Sequence, residues 1–155
     1  MRASALAVVA VTAVLFSACS PRTGVAAAAA VYPDPARAAA IEKVIRSAYL
    51  EGVFRQRDEA LVRGGFAPTF VMQVYWDGEL SSATLDQWLA KMKLSGKPLA
   101  QTTEADVWVI EICGDAAVAR IDLHIDGAQK YTDYFGLYDT AEGWRIVSKL
   151  FHGYR

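Results

Sequence analysis

Cysteine, histidine and net charge are all scarce in this chain, and each shortage narrows what it can do. Two cysteines in 155 residues, Cys19 and Cys113, allow at most one disulfide. That bridge would join an N-terminal tail to an apolar strand. The two histidines, His124 and His152, fall in different strands, and no ligand spacing builds a zinc site around them. Lys and Arg number 16 against 17 Asp and Glu, a formal charge of −1, so no basic footprint for nucleic acid exists. There is no Gly-rich phosphate loop, no Gly-x-Ser-x-Gly elbow and no His-Glu-x-x-His helix. No cofactor or metal site is therefore expected. Strands and helices do not alternate, which argues against a dinucleotide fold. The uncharged run Ala3–Phe16 falls short of the ~20 residues a bilayer-spanning helix needs.

That short run has another use. A basic start at Arg2, an apolar stretch and Leu15-Phe16-Ser17-Ala18-Cys19 make an export signal, residues 1–18. The terminal Cys19 resembles the lipobox of bacterial lipoproteins, whose thiol is acylated and becomes the mature N-terminus. An ordinary secretory signal that happens to contain Cys19 is the competing reading. The lipoprotein reading rules out a disulfide between Cys19 and Cys113, and with no basic or His neighbour in sequence Cys113 reads as a small buried apolar residue rather than a nucleophile. It places the protein at the cell envelope, held to the membrane through its lipid anchor only. Residues 19–34, rich in Ala with Pro, Thr and Gly, then form a flexible tether. Residues 35–155 form one domain.

Asp34-Pro35 is a helix start, with an N-cap followed by a residue preset for the first turn. Ile41, Val44, Ile45, Ala48, Tyr49 and Gly52 recur at helical spacing, opposite Glu42, Lys43, Arg46 and Glu51. Gly52 costs ~1 kcal/mol inside a helix, and a close backbone neighbour would account for it. Asp58 caps a second short helix ending near Gly64-Gly65. Phe70–Trp76 reads as a strand closed by Asp77-Gly78, and Thr84-Leu85-Asp86-Gln87 opens a third helix as a capping box. Four strands follow, near Thr103–Ile112, Ala116–Ile125, Lys130–Tyr138 and Trp144–Tyr154, separated by hairpin turns. The class is α+β, with N-terminal helices packed on one face of a mostly antiparallel sheet.

Alternation sorts the candidate site residues. Arg120, Asp122 and His124 share one face of their strand, either as a polar cluster or as a solvated face with a weak ion pair. Asp133 shares a face with Tyr131, Phe135 and Leu137 and is the least expected charge in the domain. On an interior face it is a candidate acid–base group or ligand donor; otherwise it fixes the sheet through Tyr or backbone donors. In the last strand Trp144, Ile146, Ser148, Leu150 and His152 fall on one side, with Arg145, Val147, Lys149 and Phe151 on the other. His152 lines a pocket mouth or lies on the surface. Tyr49, Tyr75, Trp76 and Trp88 are pocket aromatics or core.

Several segments resemble the putative lumazine-binding family of the nuclear transport factor 2-like superfamily, which also holds ketosteroid isomerase and the polyketide cyclases. They are Tyr49-x-Glu51-Gly52, Asp58, Phe66-x-Pro68-x-Phe70, Gly114-Asp115-Ala116-Ala117-Val118-Ala119, Thr132-Asp133-Tyr134-x-x-Leu137 and Gly143-Trp144-Arg145-Ile146-Val147-x-Lys149-x-Phe151. The resemblance spans roughly residues 40–152. It implies a cone, a curved sheet wrapped round a long helix with a pocket between, and pairing as a homodimer through the convex sheet face. It carries no catalytic residue over. Three functions are compatible with it: binding of a small, partly apolar ligand, isomerase, dehydratase or cyclase chemistry using Asp133, and a non-catalytic envelope interaction module.

Overall fold

A computed structural model describes residues 33–154. The export signal, Cys19 and most of the proposed tether lie outside the described residues.

Helix α1 (Pro35–Val44) starts where Asp34 Oδ1 accepts the Ala36 and Arg37 N–H groups, both at 2.9 Å. It continues without a break into an 11-residue π-helical segment, Ile45–Arg55. The wider turn brings Ala48, Tyr49, Leu50, Gly52, Val53 and Phe54 all into the interior, a broader buried face than an α-helix of this sequence would present. Helix α2 (Glu59–Gly65) is capped by Asp58 and packs closely on that segment. A Cβ at Gly52 would lie 2.9 Å from the Val62 side chain and 3.0 Å from its backbone nitrogen, the close neighbour expected from the sequence.

Strand β1 (Phe66–Trp76) begins earlier than the sequence pattern indicated. The turn at Asp77-Gly78, both at positive φ, leads into a second strand, β2 (Glu79–Thr84), that the pattern missed. β2 is an exposed, Ser-rich edge strand, so no hydrophobic alternation marks it. Helix α3 (Leu85–Met92) opens on the Thr84–Gln87 capping box. Strands β3 (Thr103–Cys113), β4 (Ala116–Ile125), β5 (Ala128–Thr140) and β6 (Gly143–Gly153) complete one six-stranded sheet in the order β2-β1-β6-β5-β4-β3. Only the β1–β6 pairing is parallel. The helices pack on the concave face, where Phe66, Phe70, Ile121, Leu123, Phe135 and Ile146 are buried.

Two expectations are corrected. Cys113 is exposed at the end of β3, because a bulge between Val109 and Glu111 shifts the phase of that strand's last residues. In β6 simple alternation fails. Gly136 pairs with Ser148 while Leu137 pairs with Ile146, leaving Val147 as an extra residue. Beyond that bulge Lys149 and Phe151 join Trp144 and Ile146 on the inner face, and Ser148, Leu150 and His152 turn outward.

Candidate functional site

The bulge in β6 creates the site. It aims Lys149 inward opposite Phe135, one step along the sheet from the Asp133–Phe151 pair. Tyr49 arrives from the π-helical segment. Its hydroxyl donates to Asp133 Oδ2 at 2.6 Å, and Lys149 Nζ donates to the Tyr49 oxygen at 2.7 Å. Lys149 Nζ also lies 2.9 Å from Asp133 Oδ1. That approach is off the direction of a hydrogen bond, so Oδ1 is held by charge with no directed donor. Asp133 is fully buried and Lys149 is 5% exposed.

Aromatic rings close round the ammonium. Nζ lies 4.6 Å from the Tyr49 ring centroid, 5.1 Å from Phe151, 5.6 Å from Trp88 and 5.8 Å from Phe135. Burial pulls the lysine below its ordinary range although Asp133 pulls the other way. Burial first, then the Asp133 charge, pushes the Tyr49 hydroxyl well above its usual value. The phenol therefore stays protonated at neutral pH and acts as a donor.

Beside this triad lies a cavity of about 400 Å³. Tyr49 and Lys149 line it, with Trp88, Met72, Phe54 and Phe151 as apolar walls. Arg57, buried and at φ +53°, also lines the cavity. Its Nη2 donates to the Met92 and Lys93 carbonyls at the end of α3, at 2.6 and 3.0 Å. Its Nη1 is buried with no hydrogen-bond partner. The Arg57 carbonyl accepts the Gly96 N–H and the Phe54 carbonyl accepts that of Leu99, tying the loop after α3 beside the cavity. The ionisable groups that line the cavity, Lys149, Arg57, Lys91, Tyr49 and Tyr131, include three cations and no carboxylate.

The sequence candidates divide among three places. Tyr49 and Asp133 meet in the triad, and Trp88 is a cavity wall. Tyr75, Trp76 and His152 lie apart, round a shallow hollow of about 620 Å³ at the outer end of β1 and β6. Tyr75 and Trp76 are 71% and 62% exposed, so they are surface aromatics and not part of the triad cavity. His124 is half-buried on the convex face between Glu104 and Gln129. On that same face Arg120 holds Asp122 through Nε at 3.1 Å and Nη2 at 2.7 Å, and Thr132 donates to Asp122 at 2.7 Å. A third hollow, between α1, α2 and the start of β6, is lined by Lys43, Glu142 and Arg145 on its polar side and contains no buried ion pair. Among the described residues no group of His, Cys, Asp or Glu is arranged to hold a metal, and no helix is long and apolar enough to cross a membrane.

Lys149 and Arg57 were not among the sequence candidates. A signal for Lys149 existed: Trp144 and Ile146 are in phase, but apolar Phe151 is an odd step away, so the alternation has to slip between them. Arg57 carries no comparable mark.

A family model described as "Putative lumazine-binding" matches residues 36–152. The fold is shared with a nuclear transport factor 2-like protein of unknown function from Shewanella baltica, 28% identical with a TM-score of 0.64, the match covering 76% of this chain and 93% of that one. Another, from Silicibacter pomeroyi, is 19% identical with a TM-score of 0.63, covering 75% and 94% respectively. Among characterised proteins, the aldolase FrzH of a Cladobotryum species is 28% identical over 91 residues, which are 58% of this chain and 71% of that protein.

Proposed function

The chain belongs to the putative lumazine-binding family, within the nuclear transport factor 2-like superfamily, and from that premise we propose that it binds a small, partly apolar molecule in the Tyr49–Lys149 cavity. The observation that carries this reading is the donor set. Apolar and aromatic walls converge on Lys149 and on Arg57, whose Nη1 is buried without an acceptor. Such an orphaned donor costs about 1–3 kcal/mol, which a ligand acceptor would recover. A planar ligand bearing a carbonyl or carboxylate fits both requirements. Thermal denaturation across a panel of aromatic carbonyl and carboxylate compounds tests it. At a hundredfold excess over Kd, a binder adds about 2.7 kcal/mol, a rise on the order of 5–15 °C in Tm. No rise with any member, together with an Arg57→Gln variant of unchanged profile, would remove the support.

A catalytic reading is favoured by the burial of Asp133 between a phenol and an amine, and by a relative named an aldolase. In it Asp133 serves as acid or base in isomerase, dehydratase, cyclase or carbon–carbon bond chemistry. Asp133→Asn would then abolish turnover of a carbonyl substrate with the fold retained, measured by circular dichroism alongside the assay.

Two further parts of the proposal concern placement. Cys19 is the acylated N-terminus that holds the domain at the cell envelope, and Cys19→Ser would release the protein from the membrane fraction. The convex face pairs with a second copy: Trp108, Ile110, Tyr134 and Leu150 are exposed there as a band flanking the Arg120–Asp122 pair. Leu150→Glu would convert a sedimenting dimer to monomer; a wild-type monomer would count against the pairing, and against the envelope interaction module as well.

A further inference from the structure

We propose that Lys149 is a carbonyl-reactive amine: an aldehyde or ketone entering the Met72–Trp88–Phe151 cavity condenses with Nζ to form an imine, with Asp133 and Tyr49 carrying the protons. The inference rests on the binding reading above, since the cavity must first hold the carbonyl compound.

The asymmetry of the triad is the main argument. An ion pair present only to stabilise the core would present neither partner to a cavity. Here Asp133 is fully buried on the concave face and does not line the cavity, while Lys149 and Tyr49 do. The amine is thus the group a ligand meets, and the carboxylate 2.9 Å behind it is a base reserved for the amine's proton. Tyr49 bridges the two, accepting from Nζ at 2.7 Å and donating to Asp133 Oδ2 at 2.6 Å, which gives the proton a route past the nitrogen. The four rings round Nζ surround the amine with apolar surface, which leaves little room for water beside a bound carbonyl compound.

The chemistry balances without a co-reactant. The Lys149 ammonium passes one proton to the Asp133 carboxylate, leaving a neutral amine. The nitrogen lone pair attacks the carbonyl carbon, the C–N bond forms and the C=O π pair moves to oxygen. That oxygen takes a proton from the Tyr49 hydroxyl, which Asp133 replenishes, while the new C–N nitrogen sheds one to the freed carboxylate. The carbinolamine hydroxyl then leaves as water with the proton Asp133 has received, and the nitrogen lone pair closes the C=N bond. The sum is one ammonium and one carbonyl giving one protonated imine and one water, with Asp133 and Tyr49 restored. Burial of Lys149, which disfavours its charged form, assists the first transfer.

The test is reductive trapping on the purified full chain with benzaldehyde and cyanoborohydride, read by peptide mass mapping. Lys149 is expected to take the benzyl label about tenfold faster than exposed Lys43, Lys97 and Lys130, and Asp133→Asn is expected to slow that labelling by about a hundredfold or more, the range of a lost proton carrier. Label on the three surface lysines with none on Lys149 would overturn the proposal. So would equal labelling of Lys149 in wild type and in a folded Asp133→Asn variant. Benzyl alcohol, which has the same shape and no carbonyl, separates the two levels by its effect on the Met72 methyl resonance. If it moves that resonance while benzaldehyde leaves Lys149 unlabelled, the amine chemistry fails and the binding site stands. If neither acts, both fail.

Discussion

Strands β4 and β5 present a carboxylate on each side of the same sheet, and the two have opposite surroundings. On the convex side Asp122 is paired with Arg120, whose side chain is 43% exposed, and is also bonded by Thr132. Burial works against its charge, yet the Arg120 and Thr132 hydrogen bonds outweigh this and hold the carboxyl below its ordinary range. On the concave side Asp133 meets a lysine that is almost as buried as itself, inside a ring of aromatics. Both acids have a cation within 3 Å. The cation of the outer pair is 43% exposed and that of the inner pair 6%, and that difference decides what each can do. The outer pair is a modest element of surface order. In the inner pair the cost of desolvating two charges is set against their attraction.

The largest effect expected from this contrast is Lys149→Met. It strands a buried carboxylate and should cost about 3–5 kcal/mol in urea denaturation. Adding Asp133→Asn should return most of that loss, because the double variant leaves no buried charge. A single variant within 1 kcal/mol of wild type would mean the interior is wetter than described, erasing the contrast.

A pH series sharpens it next. The folded-state pKa of Tyr49 is raised well above 10.0, so its contribution is fully present below pH ~10 and is lost as pH rises through the folded value. Lys149 runs the other way: its folded pKa is lowered, so its burial penalty is relieved as pH climbs toward 10.5. The stability difference between wild type and Tyr49→Phe should therefore shrink above pH ~10, measured by urea titration at each pH. A difference that grows there would reverse the assignment.

The smallest effect belongs to the outer pair. Asp122→Asn should cost about 1–2 kcal/mol, measured by urea denaturation, because the Asn keeps an acceptor for Thr132 and Arg120 is left able to reach water. Asp122 contributes above the ordinary carboxylate pKa, and the contribution is lost as pH falls below it. A loss as large as that of Lys149→Met would make the two faces equivalent.

How the sequence relates to this arrangement differs between the acids too. Asp133 was legible because charge broke an apolar strand face, and Tyr49 because it fell on the buried stripe of a helix. The caps at Asp34, Asp58 and Thr84 and the hairpin turns were legible for local reasons, since each is written in three or four adjacent residues. Lys149 was not, because its direction depends on an extra residue, Val147, set against Gly136 in another strand. Arg57 depends on a left-handed backbone position and on the end of α3, 35 residues away, and neither is a pattern in sequence. Tyr75, Trp76 and His152 had the residue types of a pocket but sit round a separate hollow at the ends of β1 and β6.

Methionine gives the most direct test of the cavity as a binding site. Of the chain's three methionines, Met72 and Met92 both line it. With methyl-labelled methionine, the Met72 and Met92 resonances, observed by NMR during titration with lumazine and with benzoate, report on that space. The account predicts that at least one of these compounds shifts both resonances with a shared saturation curve, and that Arg57→Gln weakens the curve. Both resonances standing still, while either compound raises Tm, would put the ligand elsewhere on the protein and contradict the site described here.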